Sequence, residues 1–266
     1  MVDLPASALA EIARSKRVLE HPSLAIRLAD VVGRPVEFLI KRLPEGAQQL
    51  VATATGKGLD VALGVALRTL GGRPGGKRAA WLHRAAIVAA GAAGGAAGLA
   101  GLAVELPVSL AVILRAIADA ASAEGEDLSR VEARLECLSV FSYGARAASD
   151  DDADSAYFIT RTALTAAVSR ATEYVAERGV AAAAADRGAP ALLQLTARIA
   201  QRLGVTVTDK AAAQLFPLVG ALGGATINAL FIDHYQRTAR AHFTLRRLER
   251  VHGAESVKAA YAAAPG

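Results

Sequence analysis

The stretch from Ala85 to Val104 reads AAIVAAGAAGGAAGLAGLAV and carries no charge, although Arg84 and Glu105 flank it directly. Its length matches the roughly 20 apolar residues that a helix needs to cross a bilayer. Its composition constrains it further. Five glycines (Gly91, Gly94, Gly95, Gly98 and Gly101) and many alanines leave few of the Leu, Ile, Phe and Val residues that favour insertion by a few tenths of a kcal/mol each. Gly91 and Gly95, like Gly94 and Gly98, are four apart and share one helix face. Such a face is a groove into which another backbone can press. A second uncharged run, Ala211 to Ile232, repeats the device with Gly220 and Gly224, but it also holds Gln214, Pro217 and Asn228. Two arrangements satisfy these runs: a buried hairpin in a water-soluble bundle, or a hairpin inserted in a membrane. Conversion between the two is a third.

The rest of the chain is patterned as helices. Hydrophobic residues make up 53% of it and aromatic residues only 5%, so alanine carries the excess. Alanine buries little area, and a core built from it gains from close backbone approach. Apolar spacing predicts helices over residues 4–19, 23–32, 35–43, 44–70, 77–104, 108–123, 129–143 and 155–178. It predicts further helices over residues 190–203, 208–217, 218–251 and 254–263. Pro107 is expected to break the chain after the first uncharged run, and Gly204 to close the helix before Thr208. Ser129 and Glu132 have capping-box spacing. No strand pattern emerges. The class is all-α: a multi-helix bundle built around two glycine-rich apolar segments. One domain is expected over residues 1–266, with an N-terminal helical extension (1–70), a Gly/Pro linker (71–76) and a core (77–252).

Charge and motifs exclude more than they include. Residues 1–84 carry 13 basic and 7 acidic groups, residues 85–155 carry 4 and 11, and residues 156–266 carry 13 and 7. Basic flanks around uncharged runs suit an anionic membrane surface or a membrane protein. There is no basic block with interleaved aromatics, so no nucleic-acid partner is expected. The packing faces also fit a homo-oligomer. The single Cys137 excludes an internal disulfide, and the N-terminus lacks the apolar core of a signal peptide. These point to a cytoplasmic chain, peripheral to or inserted in the inner membrane. The glycine-rich linker lacks the Lys-Ser/Thr ending of a phosphate loop. The acidic run at residues 150–154 would place Ser155 and Arg161 where a calcium loop needs Gly and Glu. No serine sits in a nucleophile elbow. No catalytic residue, metal site or cofactor is expected.

One set of polar residues stands out at the exits of the uncharged runs: Glu105, Arg115, Asp119, Asn228, His234 and His242. Arg115 and Asp119 are four apart, and Arg115 is placed to serve both carboxylates. Such a cluster is structural if buried, whereas paired carboxylates facing a cleft could do acid–base work. His234 and His242 are eight apart, about 12 Å along one helix, too far to share a metal. Asn228, His242, Arg246 and Glu249 lie within an arc of about 60°.

Several segments resemble the EcsC family of bacterial proteins. They are GGAAGLAGLAVELPVSLAVILRAIADAASAEGEDL (residues 94–128), CLSVFSYG (137–144), YFITR (157–161) and PLVGALGGATINALFIDHYQRTARAHFTLRRLER (217–250). The likeness covers about residues 80–260 and implies a helical, membrane-associated protein linked to transport or envelope processes, since the family is named for a hydrophobic protein encoded beside an ABC transporter. It brings no enzymatic reaction. The family's recurring polar positions correspond here to Glu105, Arg115, Asp119, Glu126, Asp127, Asn228, His234, His242, Arg246 and Glu249. The resemblance implies an interaction protein; the alternative is a small-ligand or lipid-binding protein, or a hydrolase-like enzyme, using the polar cluster.

Overall fold

The computed structural model describes residues 4–20, 24–71, 98–143, 156–186, 188–214 and 220–265. Among these residues the chain forms eleven α-helices and one short 3-10 turn, with no strand. In order they are α1 (Ala6–Glu20), α2 (Leu24–Val32), α3 (Val36–Ile40), α4 (Ala47–Thr69), α5 (Gly98–Ala123) and α6 (Val131–Ser139), which runs into the 3-10 turn Val140–Ser142. Then come α7 (Ala156–Arg178), α8 (Val180–Ala185), α9 (Pro190–Gln214), α10 (Gly220–His252) and α11 (Ala254–Ala263). The class is all-α, as the apolar spacing predicted. One cluster of buried side chains runs from Leu4 to Tyr261.

The centre is α5. Leu102, Leu106, Leu110, Ile113 and Ile117 form its inner stripe, none more than 1% exposed. That stripe explains the first departure from expectation. Pro107 does not end the helix; it sits inside α5. A proline in a helix interior costs about 3 kcal/mol. Each fully buried leucine or isoleucine contributes about 1.5–3 kcal/mol, so the stripe on both sides outweighs the break. Gly204 likewise does not close a helix. It lies within α9, where Leu195, Ile199, Leu203 and Val207 are all fully buried. Thr208 caps nothing and instead bonds back to the Gly204 carbonyl at 2.8 Å. The capping box also fails: α6 begins at Val131 after Arg130, Glu132 pairs with Arg130, and the Ser129 N–H donates to Asp127.

Close backbone approach does hold the centre, through a different glycine. A Cβ built on Gly58 of α4 would lie 2.7 Å from Leu110 Cδ1, and α4 is the helix most extensively packed on α5. Gly91, Gly94 and Gly95 lie outside the described residues, as does the linker after Gly71. Gly98 opens α5, and Gly220 and Gly224 form the first turn of α10.

Helices α5 and α10 run side by side in the same direction. Glu105 meets Asn228 at one end, and Glu126, just beyond α5, meets Arg246 and Arg250 at the other. The interval is about 32 Å of helix. Gly125 makes the second meeting geometrically available. It adopts φ +83, and the Gly125 and Glu126 N–H groups bond back to Ser122 and Ala121. This closing motif turns the chain sharply after α5.

Candidate functional site

Two polar clusters pin the parallel pair, one at each end. The first surrounds Glu105. Its Oε1 accepts hydrogen bonds from Ser109 Oγ at 2.5 Å, Lys210 Nζ at 2.8 Å and Asn228 Nδ2 at 3.0 Å, while Oε2 accepts from Lys210 at 2.9 Å. Three helices therefore converge on one carboxylate. The Lys210 side chain is fully buried and its ammonium lies 4.7 Å from the Phe231 ring centre, a cation–π contact. Burial pushes the Glu105 carboxyl up, but the Lys210 charge and the hydrogen bonds outweigh it and leave it below its ordinary value. Burial draws the Lys210 ammonium down, against the pull of Glu105.

The second cluster surrounds His242, also fully buried. Its Nδ1 lies 2.8 Å from the Tyr157 hydroxyl and its Nε2 lies 3.1 Å from Glu136. A neutral imidazole fits if Tyr157 donates to Nδ1 and Nε2 carries the proton, although the approach of Nε2 to Glu136 is not aligned as a hydrogen bond. Tyr143 stacks on the ring at 4.8 Å, and its buried hydroxyl has no hydrogen-bond partner among the described residues. Arg161 grips Glu249 through two bonds of 2.7 Å. Arg246 and Arg250 share Glu126, at 2.8 and 2.5 Å. Burial raises the Glu136 carboxyl, but His242, Arg246 and Arg161 overcome it and bring it down to about 2. Burial also lowers His242 and holds the Tyr157 hydroxyl well above its ordinary value. Tyr157 is thus a hydrogen-bond donor and not a phenolate nucleophile.

Beside this cluster lies a polar cleft of about 400 Å³, whose lining includes Arg130, Arg246 and Arg250. Its carboxylates are taken: Glu126 by Arg246 and Arg250, Glu249 by Arg161, Glu132 by Arg130, and Asp127 by the Ser129 N–H. Nothing in it is poised as a base. No group of His, Cys, Asp and Glu among the described residues could hold a metal ion. The Cys137 thiol is buried, and burial followed by the charge of Glu136 raises it, which leaves it unreactive.

The six residues singled out from the sequence do not form one site. Glu105 and Asn228 meet directly, and His242 lies in the other cluster. Arg115 reaches out to Thr69 Oγ1 on α4 at 3.0 Å and does not bridge to Glu105. Asp119 stays half-buried on α5. His234 is buried beside Tyr235, and its imidazole is held down to about 4 by burial and then by Arg27. Sequence reasoning missed Lys210, Glu136, Tyr157 and Arg161. Lys210 had a signal: it falls on the apolar stripe of α9, at helical spacing from Leu203 and Val207.

A family model described as EcsC protein family matches residues 64–248, from within α4 to near the end of α10. Both clusters have their main members inside that match. No curated protein and no solved structure matches the chain.

Proposed function

The chain belongs to the EcsC protein family, and from that premise we propose that it is a membrane-associated interaction protein, resting one end of its helical bundle on a lipid surface. One observation carries the reading. Val104 and Val108, a turn apart on the outer face of α5, are 75% and 48% exposed. Val104 closes the uncharged run, and Val108 lies one turn beyond it on the same face. An exposed apolar ridge contiguous with an uncharged segment suits the headgroup–acyl boundary better than water. Two helices, Ala47–Thr69 and Gly101–Ala123, are long and apolar enough to cross a bilayer. Most of the second is packed inside the bundle, and its Glu105 is tied to Lys210 on another helix. An interfacial position therefore fits it better than a lone span. The accessory role, beside a transport or envelope system, rests on the family.

The ligand-binding or hydrolase-like alternative has less support. Glu105, Glu126, Glu136 and Glu249 each face a cation or His242, and the two histidines sit in separate surroundings.

Membrane fractionation with salt and carbonate washes tests the reading. The chain is expected in the membrane fraction, and Val104→Glu/Val108→Glu should move it to the soluble fraction. Wild-type chain that stays wholly soluble at low and high salt would overturn it.

A further inference from the structure

A groove of about 250 Å³ lies between α1 and α10, lined by Glu11, Arg14 and Val18 on one side and Arg237, Arg240 and Ala241 on the other. Arg237 has its counter-charge in Asp233, but Arg14 and Arg240 have none, and the nearby carboxylates are already committed. Glu11 pairs with Arg247. Asp233 is shared by Arg27 and Arg237, at 2.7 and 2.6 Å. Arg14 and Arg240 are exposed and have neither an ion pair nor a hydrogen bond among the described residues. A guanidinium presents forked donors that match a phosphate in a two-point contact.

The position of the groove matters as much as its charge. Asn228 marks the level on α10 where the first uncharged run ends, because it bonds to Glu105. Residues 233–240 lie five to twelve positions further along, about 8–18 Å up the helix axis. An interfacial protein buries its apolar face about 5–10 Å into the headgroup–acyl boundary. Arginines 8–18 Å above such a face stand at the level of the headgroups, and their long side chains can reach the phosphates.

We propose that the α1–α10 groove binds the phosphates of anionic lipid headgroups, with Arg14 and Arg240 as the contacting groups. The proposal rests on the membrane-surface reading and adds the lipid class and the residues that select it. Arg14 lies outside the family match and Arg240 inside it, so half of the groove belongs to this chain's own N-terminal helix.

The test is vesicle flotation of the full chain, with neutral phosphatidylcholine vesicles and with phosphatidylcholine mixed with phosphatidylglycerol. Wild type should prefer the mixed vesicles, and the preference should weaken with salt. Arg14→Gln/Arg240→Gln should lower affinity for mixed vesicles roughly thirtyfold, at about fivefold per arginine near an anionic surface. Arg170→Gln/Lys258→Gln, which removes equal charge from α7 and α11, should leave it within about twofold. An Arg14→Gln/Arg240→Gln variant that keeps wild-type preference overturns the proposal while membrane binding stands. So does complete displacement by inorganic phosphate with no affinity gained from the lipid, because the occupant is then a soluble anion. Absence of binding to either vesicle overturns the membrane reading itself, and the proposal with it.

Discussion

Glu105 on α5 and Lys210 on α9 meet in the interior, with the ammonium 2.8 and 2.9 Å from the two carboxylate oxygens and neither side chain more than 3% exposed. A buried ion pair of this kind adds little net stability over a well-packed apolar pair, because both charges lose their water. What it does supply is register. It fixes which faces of α5, α9 and α10 meet at the point where the first uncharged run ends and the second begins.

Lys210→Met should therefore destabilise the protein by about 3–5 kcal/mol, since it strands a buried carboxylate. Glu105→Gln/Lys210→Met removes both charges and should regain most of that loss. Urea denaturation of the two variants checks this. Equal losses in both would mean that packing at Lys210, and not the charge, holds the junction.

Acid should lower the stability of the protein over two pH windows. His234 is held down to about 4 from an ordinary 6.5. Between those values the unfolded chain takes up a proton that the folded chain refuses, so stability falls as pH drops through the window and levels off below it. His242 is displaced in the same direction and adds to this stage. Glu136 is held at about 2 against an ordinary 4.5, so its contribution is whole above 4.5 and is lost as pH falls toward 2. His234→Gln should reduce the upper stage by on the order of 3 kcal/mol and leave the lower one unchanged. Urea midpoints from about pH 7.5 down to about pH 2 measure both stages.

The glycines of α4 should separate by position. Gly58→Ala places a methyl group against Leu110 and should destabilise by about 1–3 kcal/mol, partly relieved by Leu110→Ala. Gly56 and Gly64 have nothing within 4 Å of an added Cβ. Alanine at either should stabilise by roughly 0.5–1 kcal/mol through helix propensity. Thermal unfolding of the three single variants gives the comparison.

The helices were legible because alanine-rich amphipathic spacing needs no tertiary information, and α11 begins and ends where the pattern places it. Boundaries within long helices were not. Pro107 and Gly204 are real local penalties, and only the buried stripes of α5 and α9 reveal that they are overridden. The meeting of Glu105 with Asn228 is a contact across 123 positions that follows from the two uncharged runs. Angle along one helix places Arg115 to serve Glu105, but Lys210 on another helix occupies that place. Tyr157 was hidden for the same reason: its bond to His242 spans 85 positions and has no local signature.

Two exposed valines at opposite ends of the α5–α10 pair give the most direct test of membrane docking. Val104 is 75% exposed near the Glu105 end, and Val251 is 66% exposed near the end of α10. With Cys137 replaced by alanine, a polarity-sensitive fluorophore on Val104→Cys should shift to the blue on adding vesicles and be quenched by spin-labelled lipid. The same fluorophore on Val251→Cys should do neither. Equal responses at the two positions, or none at Val104→Cys, would contradict docking through the apolar end of α5.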